Sequence, residues 1–317
     1  MKKSNPYVYY VKKRLKNLQL SGLRRGLQSS TLKQIDYMCN FTEVNTIKRK
    51  RKRIIISLII ISILTVVVSS IVHNILTARC LVPLNYLVWE ATRPLADCDY
   101  CVNITKPIIL QNVTRHDFKK YAYTSKPIVI KKIINHWRAV KDFNYYLFKR
   151  LYEHTIGSYE LFDEGCQFLN FKSDLFSLKE VFNMPKERIK NEPGQKPWYV
   201  GWANCHPDIR SKIRQYYEIP EFLPDDAEFP ETENIFFGYE IGAVMHLDYI
   251  PRLMWQGQIK GSKNWTIAPV PECEHICHKF QYYVEPGDIV LLDTRVWYHA
   301  TSIPKGQFSV TLQSEYA

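Results

Sequence analysis

The sequence predicts a mainly β, α+β fold: an antiparallel sandwich or jelly roll with N-terminal helical elements, set behind one transmembrane helix. Three observations predict it. Residues 54–78 carry no Asp, Glu, Lys or Arg, and about 20 apolar residues cross a hydrocarbon core of roughly 30 Å. The last third of the chain is a succession of short runs rich in Ile, Val, Tyr and Trp, separated by Gly, Pro, Lys and Asp, the pattern of consecutive strands and turns. The stretch 106–317 is long enough for one domain with a sizeable core. A chain that is 46% hydrophobic and 14% aromatic is not a disordered or low-complexity polymer.

The charge is unevenly placed. Residues 1–53 hold 15 Lys/Arg against Asp36 and Glu43, while the other 264 residues hold 28 basic and 29 acidic groups. A basic tail on a near-neutral body argues against nucleic acid as a partner. The tail shows no long amphipathic pattern and is expected to be flexible. The span is placed at 54–76: it is too long for a core strand and starts too far from residue 1 for a cleaved signal peptide. Lys48–Arg53 reads KRKRKR directly before it, whereas only Arg79 and Arg93 follow within 20 residues. The positive-inside rule then puts residues 1–53 in the cytosol and the rest in a lumen or outside, as a type II single-pass protein of the ER, Golgi or cell surface. The basic run also suits anionic headgroups.

Asn103-Ile-Thr and Asn112-Val-Thr are glycosylation acceptors on that side, and seven of the eight cysteines (80, 98, 101, 166, 205, 273 and 277) share it. A third acceptor, Asn264-Trp-Thr, sits in an expected core strand. Residues 77–105 read as a stem with Pro83, Pro94 and the pair Cys98-Asp-Tyr-Cys101, whose reading is structural disulfides, to each other or to distant partners. Cys273, His275, Cys277 and His278 crowd six residues, too few to wrap a tetrahedral ion alone, so disulfides are expected there as well. Seven is odd, which leaves one thiol free or joined to another chain.

Within 106–317, residues 126–130 read as a strand after a turn. Residues 142–154, 178–182 and 209–217 have helical spacing. Strands are expected at 234–239, 253–259, 265–269, 282–284, 289–292 and 308–312.

His246-Leu-Asp248 is the central motif. Alternate residues of a strand share a face, so an imidazole and a carboxylate two apart can meet one ion. His299, in Trp297-Tyr-His299, follows the turn Pro286-Gly-Asp288 and can reach the same interior. Two histidines and a carboxylate on one face of a metal form the facial triad of non-haem Fe(II) oxygenases, which leaves three positions open. His206-Pro-Asp208 has the same letters, but its proline and the helical residues after it argue against an interior strand.

After Asp248 come Gln258, Gly261, Lys263, Trp265 and Pro269, then Gly287, Asp288, Trp297 and His299. In this order and spacing the stretch 106–317 resembles the JmjC/cupin-like Fe(II)- and 2-oxoglutarate-dependent oxygenases, most of all their small hydroxylases. The resemblance implies a double-stranded β-helix (jelly roll, cupin) fold, with His246, Asp248 and His299 holding Fe(II) and 2-oxoglutarate as cosubstrate. Lys263 matches the position that grips its distal carboxylate, Tyr199 the tyrosine that bonds the same group, and Gln313 a cavity-lining amide. It further implies hydroxylation of a protein or peptide side chain. Two departures stand out: residues 242–245 offer no hydroxyl where relatives carry Ser or Thr, and Arg252 sits in the loop after the ligands, where it is positioned to take an acidic group. An inactive binding module of the same fold, a cupin of other metal chemistry, and a hydroxylase of a small molecule or glycan stay open on the sequence. The substrate and oligomeric state are not read from it.

Overall fold

The computed structural model describes residues 6–77, 86–160 and 166–317. Cys80 and Pro83 of the expected stem lie outside the described residues. The chain divides into two units, 1–93 and 94–317.

In the first unit, α1 (Pro6–Arg24) and α2 (Ser29–Thr77) are joined by a turn at Gly26, where φ is +87°. The tail, expected to be flexible, is helical over Pro6–Arg24 and from Ser29 on. Leu, Lys, Arg and Gln are good helix formers, and their summed propensity over a 19-residue window outweighs the want of a long apolar stripe. The segment expected to span a membrane is the latter part of α2: within Arg49–Thr77 an 18-residue window has mean hydropathy 2.9, and no part of that window is buried. It is the one helix among the described residues long and apolar enough to cross a membrane. A short helix α3 (Tyr86–Thr92) follows.

The second unit begins at Pro94, so residues 94–105 belong with the domain. Its large sheet has eight strands in the order β1 (Ile108–Gln111), β2 (Ile128–Lys131), β9 (Ile289–Leu292), β6 (Leu253–Lys260), β11 (Phe308–Tyr316), β5 (Glu233–Tyr239), β4 (Tyr199–Asn204), β3 (Phe168–Leu169). Only β1 and β2 run parallel. The small sheet has the order β10 (Trp297–Ser302), β7 (Lys263–Pro269), β8 (Phe280–Val284). Two mostly antiparallel sheets with helices at the N-terminal side form an α+β arrangement consistent with the jelly roll expected from the sequence.

Period-two alternation divides the large sheet into two faces. Val200 and Trp202, Ile235 and Phe237, Trp255 and Ile259, Ile289 and Leu291, and Val310 and Leu312 all enter one apolar cluster, shared with α4 (Tyr145–Glu153) and α5 (Leu178–Phe182) through Phe148 and Phe182. Asn144 and Ser177 cap these helices by accepting the N–H of Leu147 and Glu180. Phe237 lies at the centre, its ring 4.9 Å from Trp202 and 5.9 Å from Phe148. Truncating it to alanine removes contacts from both layers, at a cost of about 3–5 kcal/mol. The opposite face carries Tyr199, Gln256, Lys263's partner Thr311, and Gln313, and it looks toward the small sheet. An apolar face under helices and a polar face between sheets is what creates a cavity there.

Three disulfides brace the unit: Cys98–Cys273, Cys101–Cys277 and Cys166–Cys205. Cys98 and Cys101 therefore pair with distant partners and not with each other, and the two of them take up both cysteines of the 273–278 cluster. Among the described residues, the other six of the seven cysteines are all paired.

Candidate metal centre and anion cavity

His299 arrives on β10, and His246 on the segment that leaves β5. The two are joined by a reciprocal backbone bridge, His246 N–H to His299 O at 3.1 Å and His299 N–H to His246 O at 3.0 Å. Asp248 is fixed two residues on, its N–H donating to Thr294 O at 2.9 Å. Gly242 makes the approach possible, because a Cβ there would overlap the Thr301 carbonyl. The residue before β10's second half, Thr301, also accepts the Ala243 N–H at 3.0 Å.

These contacts bring one ligand atom each from His246, Asp248 and His299 within 4.8 Å of one another. His246 Nε2 lies 3.3 Å from Asp248 Oδ1 and His299 Nε2 3.7 Å from Asp248 Oδ2. Nδ1 of His246 donates to Val244 O at 2.6 Å, and Nδ1 of His299 to Trp297 O at 3.2 Å. Each ring thus keeps Nε2 as the ligating atom, with its orientation set by a backbone carbonyl. Burial pushes His299 down to about 4, so it is a neutral ring over the physiological range. Burial alone would raise Asp248, but His299 and His246 beside it hold it below the usual carboxylate range. Burial opposes the charge on His246 as well, and Asp248 outweighs it and raises that ring. Two imidazoles and one carboxylate, oriented and only partly covered, fit an Fe(II)-type ion with open positions.

Lys263, Trp265 and Ile267 are the inward positions of β7. Lys263 is 1% exposed, and its Nζ donates to Tyr199 Oη at 2.8 Å, Thr311 Oγ1 at 3.1 Å and Gln256 Oε1 at 3.4 Å. All three partners are neutral. Burial pulls the ammonium down to about 7 and pushes Tyr199 up, so Tyr199 keeps its proton. A cation-forming group enclosed without an anion is costly unless a ligand brings one. Lys263, Tyr199, Gln313, His246, Asp248 and His299 all line one cavity of about 90 Å³. All six of the sequence-predicted site residues thus meet in one place.

Gln258 does not line it. Its Nε2 donates to Lys260 O, Gly261 O and Ser309 Oγ, tying down the β6–β7 turn so that Lys263 points inward. Asp288 is likewise structural: it accepts from Lys131 Nζ at 2.5 Å, Lys132 N–H at 3.0 Å and Glu285 N–H at 2.9 Å. Arg252, expected to be open to an acidic ligand, faces Glu228 at 3.6 Å. His206 caps α6 (Pro207–Ile213), where its Nδ1 accepts the Asp208 N–H, and among the described residues it joins no metal-ligand cluster. Of the acceptor sites, Asn103, Asn112 and Asn264 are all exposed, Asn264 despite its place in β7.

Sequence reasoning missed Gln256, Thr301, Thr311 and Asn234. Thr301 is the most informative: it places a hydroxyl in the cavity from the strand facing 242–245, beside Tyr199. The signal was present in period two, since Thr301 follows His299 by two, and Thr311 precedes Gln313 by two. Gln256 donates to Gln313 Oε1 at 2.7 Å, which turns the Gln313 amide nitrogen away from it.

No protein-family model and no curated protein matches the sequence. Among solved structures, the chain is similar to the ribosomal oxygenase YcfD of Escherichia coli, with TM-score 0.42 and 14% identity over 67% of this chain and 52% of that one. It therefore spans about half the length of YcfD. It is also similar to an oxidoreductase of the 2OG-Fe(II) oxygenase family from Burkholderia pseudomallei, with TM-score 0.39 and 8% identity over 67% of this chain and 96% of that one.

Proposed function

We propose that this chain is a single-pass membrane protein whose 94–317 unit is an Fe(II)- and 2-oxoglutarate-dependent oxygenase, acting on a protein or peptide side chain at the luminal or extracellular face. The observation that carries the reading is Lys263: a buried amine held by three neutral oxygens, in the same cavity as a His-Asp-His cluster. Such a pair of sites takes a ligand with one anionic end for Lys263 and one end for a metal.

His246, Asp248 and His299 would hold the metal, and Fe(II) there would couple oxidative decarboxylation of 2-oxoglutarate to hydroxylation of the second substrate. The chain's own part is binding and orientation. Lys263 and the protonated Tyr199 hydroxyl take the distal carboxylate; Thr311 and Thr301 complete that end of the cavity; Gln256 orients Gln313 toward its interior. Trp265, its ring 5.9 Å from that of His299 and stacked on it, keeps water from one side of the cluster.

The anchor and its orientation rest on the charge-free segment, the basic run before it, and three disulfides in the unit after it. The full chain in lipid nanodiscs, loaded anaerobically with Fe(II), is given 2-oxoglutarate and O₂ while succinate is followed. Succinate formed by the parent and lost in His246→Ala is the expected result. A parent that binds neither Mn(II) nor 2-oxoglutarate would instead make the domain a binding module. Alkaline carbonate extraction of expressing cells tests the anchor separately.

A further inference from the structure

β10 carries His299 at the edge of its sheet: β7 flanks it on one side, with Trp297 opposite Pro269, and on the other it meets the irregular arm 243–246 through the bridge to His246 and the Thr301 N–H donating to Ala243 O at 3.0 Å. A further contact is added at its entry. Val296, the residue just before β10, gives its carbonyl to the Tyr100 hydroxyl at 2.8 Å. The same hydroxyl accepts the N–H of Val270, the residue just after β7, at 3.2 Å. One hydroxyl thus spans the two strands at their open end. The Tyr100 ring meets Trp297, the first residue of β10, edge to face at 5.0 Å and 82°, and the Trp297 indole N–H donates to Ser125 O at 2.8 Å.

Tyr100 comes from a part of the chain 196 residues away in sequence. It lies in a 3-10 turn (Cys98–Tyr100) whose flanking cysteines are both bridged, Cys98 to Cys273 and Cys101 to Cys277. The Ala96 N–H adds a bond to Glu272 Oε1 at 3.0 Å. Ala96, Cys98, Tyr100 and Ile104 pack on the cluster that contains Trp265, Ile267, Val270 and Trp297. Two bridges within four residues are more than fastening a loop requires, and the side chain between them is the one that touches β10.

We propose that Tyr100, pinned by the Cys98–Cys273 and Cys101–Cys277 bridges, is a positioning residue that sets where β10 presents His299, so that metal affinity depends on the oxidation state of the two bridges. An external dithiol is the reductant. Each protein disulfide takes up two electrons and two protons to give two thiols, while the dithiol loses the same and closes to its own disulfide. The turn is then tied only by packing and hydrogen bonds, and Tyr100 no longer holds Val296 in register. The proposal rests on the metal-centre reading above.

The test uses the full chain in nanodiscs. Metal-free protein is followed by amide exchange at residue resolution, and Mn(II) affinity is measured by electron paramagnetic resonance, for the parent, Tyr100→Phe and His246→Ala, each oxidised and dithiol-treated. Tyr100→Phe keeps the ring and loses the bridging hydroxyl. It should raise exchange at His246 and His299 relative to β4, and weaken Mn(II) about fivefold, the worth of one neutral hydrogen bond. Dithiol should move the parent in the same direction and add less than its full effect in Tyr100→Phe, because the two act through one contact. Unchanged exchange at His246 and His299 in Tyr100→Phe, or a rise spread evenly over the unit, overturns the proposal. A parent that binds Mn(II) no better than His246→Ala sinks the metal-centre reading, while the metal-free exchange still decides the role of Tyr100.

Discussion

Lys263→Met is the perturbation that isolates the anion site. In the ligand-free protein the buried amine titrates near 7 in place of 10.5. Each unit of such a shift corresponds to about 1.4 kcal/mol between the two protonation states. The folded pKa lies below the unfolded one, so between pH 7 and 10.5 the unfolded chain binds the proton and the folded one does not. Stability therefore rises with pH through that window and is lowest, and flat, below 7. Methionine removes the titrating group but also gives up three hydrogen bonds of about 1 kcal/mol each. At pH 7 the net effect should be a gain of about 1–3 kcal/mol, in line with apolar replacement of buried ionic groups. Urea unfolding from pH 6 to 10 reads both terms: the parent should climb by up to about 1.4 kcal/mol per pH unit above 7, and Lys263→Met should lack that slope. With 2-oxoglutarate at pH 8.5, titration calorimetry in buffers of different ionisation enthalpy should show nearly one proton taken up per ligand by the parent and none by the variant. Parallel slopes in the two proteins, or ligand binding without proton uptake, would refute the reasoning.

Other outcomes follow from single contacts. Thr301→Val removes the hydroxyl beside Tyr199 and the acceptor of the Ala243 N–H; 2-oxoglutarate binding should weaken about tenfold by calorimetry while the fold persists. Gly242→Ala places a methyl against the Thr301 carbonyl and should displace the arm that carries His246 and Asp248, with Mn(II) affinity falling more than 2-oxoglutarate affinity. Asn103→Gln and Asn112→Gln, both at exposed positions, should each lower the mass of the chain from a secretory host by one glycan on a denaturing gel. Deleting residues 54–76 should release the chain from the carbonate-resistant membrane fraction.

Much of the site was legible because its residues sit at fixed short offsets, on a strand for Lys263 and Trp265 and on the irregular arm between β5 and β6, where a strand was expected, for His246 and Asp248. His246 and Asp248 are two apart, as are Lys263 and Trp265, and the turn at Gly287 and Asp288 announces the strand before β10. Strand bounds also followed from alternation, with 289–292 matching β9, 234–239, 253–259, 265–269 and 282–284 one or two residues short at an end, and 308–312 four short of β11. What was not legible depends on cross-strand register. Gln256 faces Gln313 only because β6 and β11 pair with those residues opposite; nothing local to either says so. Thr301 meets Ala243 from 58 residues away, a contact visible only when the 242–245 segment is seen against β10.

The two sheets divide the chemistry between them. The large sheet supplies neutral acceptors and donors: Tyr199, Asn234, Gln256, Thr311 and Gln313. The small sheet supplies the cation and one imidazole, and the loop between β5 and β6 supplies the other imidazole and the carboxylate. Charge is thus confined to two spots at opposite ends of one face of β7. Lys263 marks one end, and Ile267, which pairs with His299, marks the other. Four strand residues separate those backbone positions by about 13 Å, and side chains reaching inward shorten the gap to be bridged. A monoanion can answer only one of the two spots and leaves Lys263 without an anion or the metal cluster without a second ligand. A short dicarboxylate answers both, which is why the buried lysine and the His-Asp-His cluster together point to a more specific ligand than either does alone.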